Sequence, residues 1–116
     1  MRYISTRGAA PTLKFDEVLL AGLASDGGLY VPESWPQISA AELRRWRGLS
    51  YADLAIRVMS PFIGDTVPPA AFERMVRDAY ATFDHPAVVP MKQLGERLWS
   101  MELFHGPTLA RRADGA

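Results

Sequence analysis

Two short stretches carry the residue types that could do chemistry. Near the start, Ser5-Thr6-Arg7-Gly8 places two hydroxyls and a guanidinium beside a glycine. That combination suits a phosphate or carboxylate ligand, because a guanidinium offers a fork of donors and glycine lets the backbone come close. The same four residues also read as a polar surface turn. Near the end, Leu98-Trp99-Ser100-Met101-Glu102-Leu103-Phe104 empties into His105-Gly106-Pro107-Thr108. In open α/β folds chemistry gathers where a strand hands over to a loop and a helix start, and His105 stands at that exit. A lone histidine in a loop also reads as structural.

Other candidates are weaker. Asp26-Gly27-Gly28 has neither of the spacings that make a phosphate cradle, so it reads as a helix stop. His85 precedes Pro86 at a helix end, where a residue able to carry positive charge faces exposed carbonyls. With two histidines and no cysteine, a metal site is not expected. Trp35, Trp46, Tyr51 and Tyr80 fall at helix-face or turn positions and read as packing residues, not as a platform for stacked bases.

The elements that must position these residues follow from periodicity and punctuation. Tyr3-Ile4-Ser5-Thr6 reads as a short strand, and a helix is expected from about Leu13 to Ala24 with Phe15, Val18, Leu19, Gly22 and Leu23 on one face. Leu29-Tyr30-Val31 is extended and Glu33 to Ile38 is a loop. Ser39-Ala40-Ala41-Glu42 has the spacing of a capping box, and Ser50-Tyr51-Ala52-Asp53 repeats the start signal for a helix that Pro61 must end or kink. Pro68-Pro69 opens the strongest helix, carrying Phe72, Met75, Val76, Ala79, Tyr80 and Phe83. Val88 to Met91 is extended, Gly95 is a turn, and Leu98 to Phe104 is a final strand expected to pair with something outside the chain.

The fold class expected is α+β, helix-rich with a few short strands, an incomplete part of a larger α/β protein. The 116 residues suffice for one domain. Thirteen basic residues balance thirteen acidic ones, so no overall field favours nucleic acid or an anionic membrane, and a small DNA-binding helical domain is disfavoured. No run approaches the roughly 20 apolar residues of a membrane span. The start lacks an apolar secretory core, and the expectation is a soluble, cytoplasmic protein.

Four blocks in order resemble the N-terminal part of the threonine synthase family: Tyr3 to Gly8, Phe15 to Pro32, Phe62-Ile63-Gly64-Asp65, and Glu102 to Ala110. The resemblance implies a pyridoxal-phosphate enzyme of tryptophan synthase β-like fold that converts O-phospho-L-homoserine and water to L-threonine and phosphate, of which this chain covers the opening quarter or so. It implies an N-terminal domain over residues 1–97, a first strand and loop toward the catalytic domain over 98–110, and a divergent tail over 111–116. In the family a Schiff-base lysine follows the last block; here Arg112 stands at that position. A guanidinium stays protonated and delocalised and cannot replace the amine. Lys14 and Lys92 lie elsewhere.

By the same resemblance, Ser5, Thr6 and Arg7 are substrate-proximal candidates, and His105 and Thr108 are cofactor-proximal ones. No catalytic residue is expected in this chain. It is expected to bind no pyridoxal phosphate alone, and to have as partner an intact threonine synthase or the missing C-terminal domain. The divergence after Ala110 reads as a frameshift, a truncation or a fragment. A non-catalytic module docking on an intact synthase is the alternative. A severed domain would expose the Leu98 to Phe104 edge and aggregate.

Overall fold

The computed structural model describes residues 1–108, and the chain divides into two compact units, Met1–Glu73 and Arg74–Ala116. Arg112, which the resemblance sets at the position of the family lysine, lies outside the described residues.

The first unit is built on a three-stranded antiparallel sheet of order β2-β1-β3, with β1 (Arg2–Ser5) central, β2 (Leu13–Lys14) on one side and β3 (Tyr30–Pro32) on the other. Tyr3 pairs with Leu13 and Pro32, and Ser5 with Tyr30. Period-two alternation turns Tyr3 and Ser5 inward and Arg2 and Ile4 outward. Tyr3 donates its hydroxyl to the Phe62 carbonyl at 2.8 Å and packs its ring 6.4 Å from Phe15. Burial pushes the Tyr3 phenol above its ordinary value, since ionisation there would strand a charge. Tyr3, Ala24 and Ile63 form the buried apolar centre of this unit.

Helix α1 runs over Phe15–Ala21, shorter at both ends than the periodicity predicts. At the front, Leu13 and Lys14 are taken into the sheet as β2; at the back, Gly22 adopts φ 69°, and its N–H donates to the Val18 carbonyl at 3.0 Å. A left-handed conformation costs glycine little, so Gly22 ends the helix at a position that the periodicity counts within the apolar face.

Helix α2 (Ala40–Arg45) begins with the expected capping box: Ser39 Oγ accepts from the Glu42 N–H at 3.2 Å, and Glu42 Oε2 accepts from the Ser39 N–H at 2.8 Å. These hydrogen bonds from Ser39 hold the Glu42 carboxyl below its ordinary range. Ser39→Ala is expected to cost ~1 kcal/mol. The loss should be read as weaker amide hydrogen-exchange protection across Ala40–Arg45, with the sheet unchanged. Helix α3 (Tyr51–Ile63) is capped by Ser50 Oγ, accepting from Asp53 N–H at 3.1 Å. Pro61 neither ends it nor leaves more than its own donor out, because Gly64 stops the helix three residues later at φ 66°.

Helix α4 (Pro69–Ala81) leads into the second unit and buries Val76. There β4 (Met91–Gly95) and β5 (Leu98–Met101) form a two-stranded antiparallel hairpin. The final strand is therefore paired within the chain, through a two-residue connection at Glu96-Arg97. The extended piece predicted at Val88 to Met91 gives way to a strand that begins at Met91. Met91 pairs with Met101 and Gln93 with Trp99, so Met91, Trp99 and Met101 share one face of the hairpin, and all three are exposed. Among the described residues, four helices and five short strands meet the α+β, helix-rich expectation.

Candidate functional site

The strand exit at Ser5 is organised around one carboxylate. Asp26, in the turn after α1, accepts from Ser5 Oγ at 2.8 Å, from the amides of Ala9 (3.0 Å) and Ala10 (2.9 Å) through Oδ2, and from the Gly28 amide through Oδ1 at 2.9 Å. Ser5 Oγ in turn accepts from the Arg7 N–H at 3.1 Å. Partial burial pulls the Asp26 carboxyl upward, but the bonds from Gly28, Ser5, Ala9 and Ala10 outweigh it and lower the group to about 2. A carboxylate so held is ionised at any ordinary pH, with its lone pairs committed. It can organise a loop; it cannot serve as a proton acceptor near neutrality.

Thr6 is committed too. Its Oγ1 accepts from the Leu29 N–H at 3.0 Å, while its own N–H donates to the Leu29 carbonyl at 2.8 Å. Arg7 is exposed and spends Nη1 on the Asp26 carbonyl at 3.2 Å. The structure thus brings Ser5, Thr6 and Arg7 together around Asp26 and turns the two hydroxyls toward the chain itself. Asp26 is the residue that reading Asp26-Gly27-Gly28 as a helix stop misses. An Asp two residues before a glycine can bond that glycine's amide, and this was the available signal.

The second cluster surrounds His105 in the Arg74–Ala116 unit. Its Nδ1 lies 2.7 Å from Asp84 Oδ1 and its Nε2 2.9 Å from Glu102 Oε2. With an acceptor at each ring nitrogen, the geometry is that of an imidazolium donating twice. The Glu102 carboxylate raises the His105 pKa, partial burial opposes this, and Asp84 adds to the rise. The His85 ring lies 5.0 Å from that of His105, and His85 Nδ1 accepts from the Ala87 N–H at 3.1 Å. Thr108 is exposed in the turn that it forms with Pro107. Imidazole sits where a cation would have to be, and among the described residues no group of three such side chains is arranged to hold a metal ion.

A family profile described as the threonine synthase N terminus matches residues 2–80. The chain belongs to the threonine synthase family. It is 56% identical over 110 residues to the threonine synthase of Pseudomonas aeruginosa, covering 95% of this chain and 24% of that protein. With the Schizosaccharomyces pombe threonine synthase the identity is 39%, over 93% of this chain and 21% of the relative. Among solved structures, the pyridoxal-phosphate-bound threonine synthase of Brucella melitensis superposes with a TM-score of 0.90 at 55% identity, covering 94% of this chain and 24% of that one. The yeast threonine synthase gives 0.83 at 39%, over 92% and 22%. The chain therefore spans about a quarter of the length of the family members it matches.

The family's cofactor can be tested against the residues present. A Schiff-base lysine works when desolvated or placed beside another cation. Lys14 is instead 61% exposed and 4.0 Å from the Asp65 carboxylate, and Lys92 lies on a strand whose residues are all exposed. The amides of Ala9, Ala10 and Gly28, which could cradle a phosphate, are filled by Asp26. Among the described residues, then, neither lysine is placed for a Schiff base and these three amides are already occupied.

Proposed function

We propose that this chain supplies the N-terminal portion of a threonine synthase and has no catalytic activity by itself. The complete reaction, O-phospho-L-homoserine and water to L-threonine and phosphate, belongs on this reading to an assembly with the other three quarters of such an enzyme. The observation that carries it is family identity over 95% of this chain but only 24% of the relative; the resemblance, which sets Arg112 at the position of the family lysine, adds support. Apolar side chains add support: Leu19, Leu20 and Leu23 on and after α1, and Met91, Trp99 and Met101 on the hairpin, lie exposed. Leu20 is 89% exposed, a state that favours a covering partner. On this reading Ser5, Thr6 and Arg7 border the substrate and His105 and Thr108 the cofactor in the assembled enzyme, within the cytoplasm. Residues 98–110 lead there to the catalytic portion. The balanced charge supports no nucleic-acid partner.

The test has two arms. Phosphate release from O-phospho-L-homoserine, measured on the purified chain with added pyridoxal phosphate, is expected at background; sustained turnover overturns the reading. The second arm co-expresses the chain with a Pseudomonas aeruginosa threonine synthase lacking its matching N-terminal segment and expects the two to co-purify. Failure to co-purify counts against the proposal. The rival, a separate module docking on a synthase subunit, draws on the same apolar faces and predicts capture by the intact enzyme instead.

A further inference from the structure

The surroundings of His105 describe more than a hydrogen-bonded side chain. Its two carboxylate partners come from different segments: Asp84 from the loop after α4, and Glu102 from the residues that follow β5. The ring is 14% exposed, and the Phe104 and His85 rings lie 4.7 and 5.0 Å away. Backbone bonds run alongside: the Asp84 N–H donates to the His105 carbonyl at 3.1 Å, and the Glu102 N–H to the Pro90 carbonyl at 3.1 Å. In the loop after Asp84, Val88 has φ 60°. A β-branched residue is strained in that left-handed region, so this turn is held against its own preference by its neighbours.

We propose that His105 is a protonation-dependent latch, joining the 102–108 segment to the 82–88 loop when both ring nitrogens carry hydrogen and releasing it when one is lost. The donor count of the ring leads to this behaviour. An imidazolium between these two carboxylates makes two charge-assisted hydrogen bonds. A neutral ring keeps one N–H, and its other nitrogen turns a lone pair toward a carboxylate. One of the two joints must then open.

Among the described residues, Asp84 and Glu102 hydrogen-bond the two ring nitrogens and His85 lies against the ring face. Because the folded His105 pKa is raised, the latch is fully closed below the ordinary histidine value and opens as pH rises through the folded one. The latch does not depend on the partner proposed above.

Amide hydrogen exchange on the whole chain at pH 6 and pH 9, corrected for the intrinsic base-catalysed rate, reads the latch directly. Protection of the Asp84 amide is expected to fall by about tenfold or more across that range, as one charge-assisted bond is lost. The His105 ring shifts in a nuclear magnetic resonance titration should change with the same midpoint. His105→Gln should show low, pH-independent protection, and Glu102→Gln should keep the transition but move its midpoint to lower pH. Constant Asp84 protection in the natural chain, or an undiminished pH dependence in His105→Gln, overturns the proposal. Should His105→Gln fail to fold, Glu102→Gln decides alone: an unmoved midpoint rejects the latch.

Discussion

Asp26→Ala is expected to populate the unfolded form of the Met1–Glu73 unit at 37 °C, the largest loss of any single substitution there. Four donors converge on this carboxylate, the Ser5 hydroxyl and the amides of Ala9, Ala10 and Gly28, and alanine strands all of them. Ser5 is buried, so its hydroxyl cannot simply turn to water, and an unmet buried donor costs more than a made bond returns. Asp26→Asn is the graded control, keeping one oxygen acceptor while removing the charge.

The pH dependence has a definite sign. The folded carboxyl titrates at about 2, below its ordinary value of 3.8. Its contribution is therefore complete above the ordinary value and disappears as pH falls through the folded one. Denaturation midpoints followed from pH 5 to pH 2 should show this decline in the natural chain. In Asp26→Asn that part of the acid slope should be missing; an unchanged slope would show that the carboxylate is not what holds the turn.

Gly28→Ala carries the second large effect, and for reasons of space. A β-carbon on Gly28 would collide with Ser5 Oγ and lie 3.0 Å from Asp26 Oδ1 and 3.1 Å from Thr6 Oγ1. All three belong to short side chains tied down by hydrogen bonds, so none can swing aside without breaking one. Overpacking of this kind costs about 1–3 kcal/mol, and chemical denaturation would measure it. Adding Ser5→Ala should recover part of the loss, because it removes the nearest of the clashing atoms. Strict additivity of the two substitutions would mean that the clash with Ser5 is not the cause.

Much of this arrangement could be read from the residues alone, and the failures have identifiable causes. Capping boxes and proline starts are local chemistry, which is why α2, α3 and α4 begin where Ser39, Ser50 and Pro69 say they should. Helix α1 was harder, since no local signal at Leu13 and Lys14 separates strand from helix and only the pairing of Leu13 with Tyr3 and Lys14 with Arg2 assigns them to the sheet. The hairpin was hidden for a similar reason: Met91 to Gly95 mixes polar and apolar residues, and pairing with β5 makes it a strand. In the candidate site, the types of Ser5, Thr6 and Arg7 announce anion chemistry, and what the types cannot reveal is that the anion is Asp26 of the same chain. His105 stood out by position, but its partners are 3 and 21 residues away and meet only in the folded unit.

The separations of these bonds also order the assembly of the first unit in time. The bonds that Asp26 accepts from other residues close loops of at most 21 residues, whereas the Tyr3 hydroxyl must find a carbonyl 59 residues along the chain. Closure entropy rises with loop length, so short-range contacts assemble before long ones reward the chain. The Asp26 turn is thus suited to act as a folding nucleus, formed with its strand while α3 is still searching for Tyr3. Substitutions in the turn would then slow refolding, and those at the Tyr3–Phe62 joint would mainly speed unfolding.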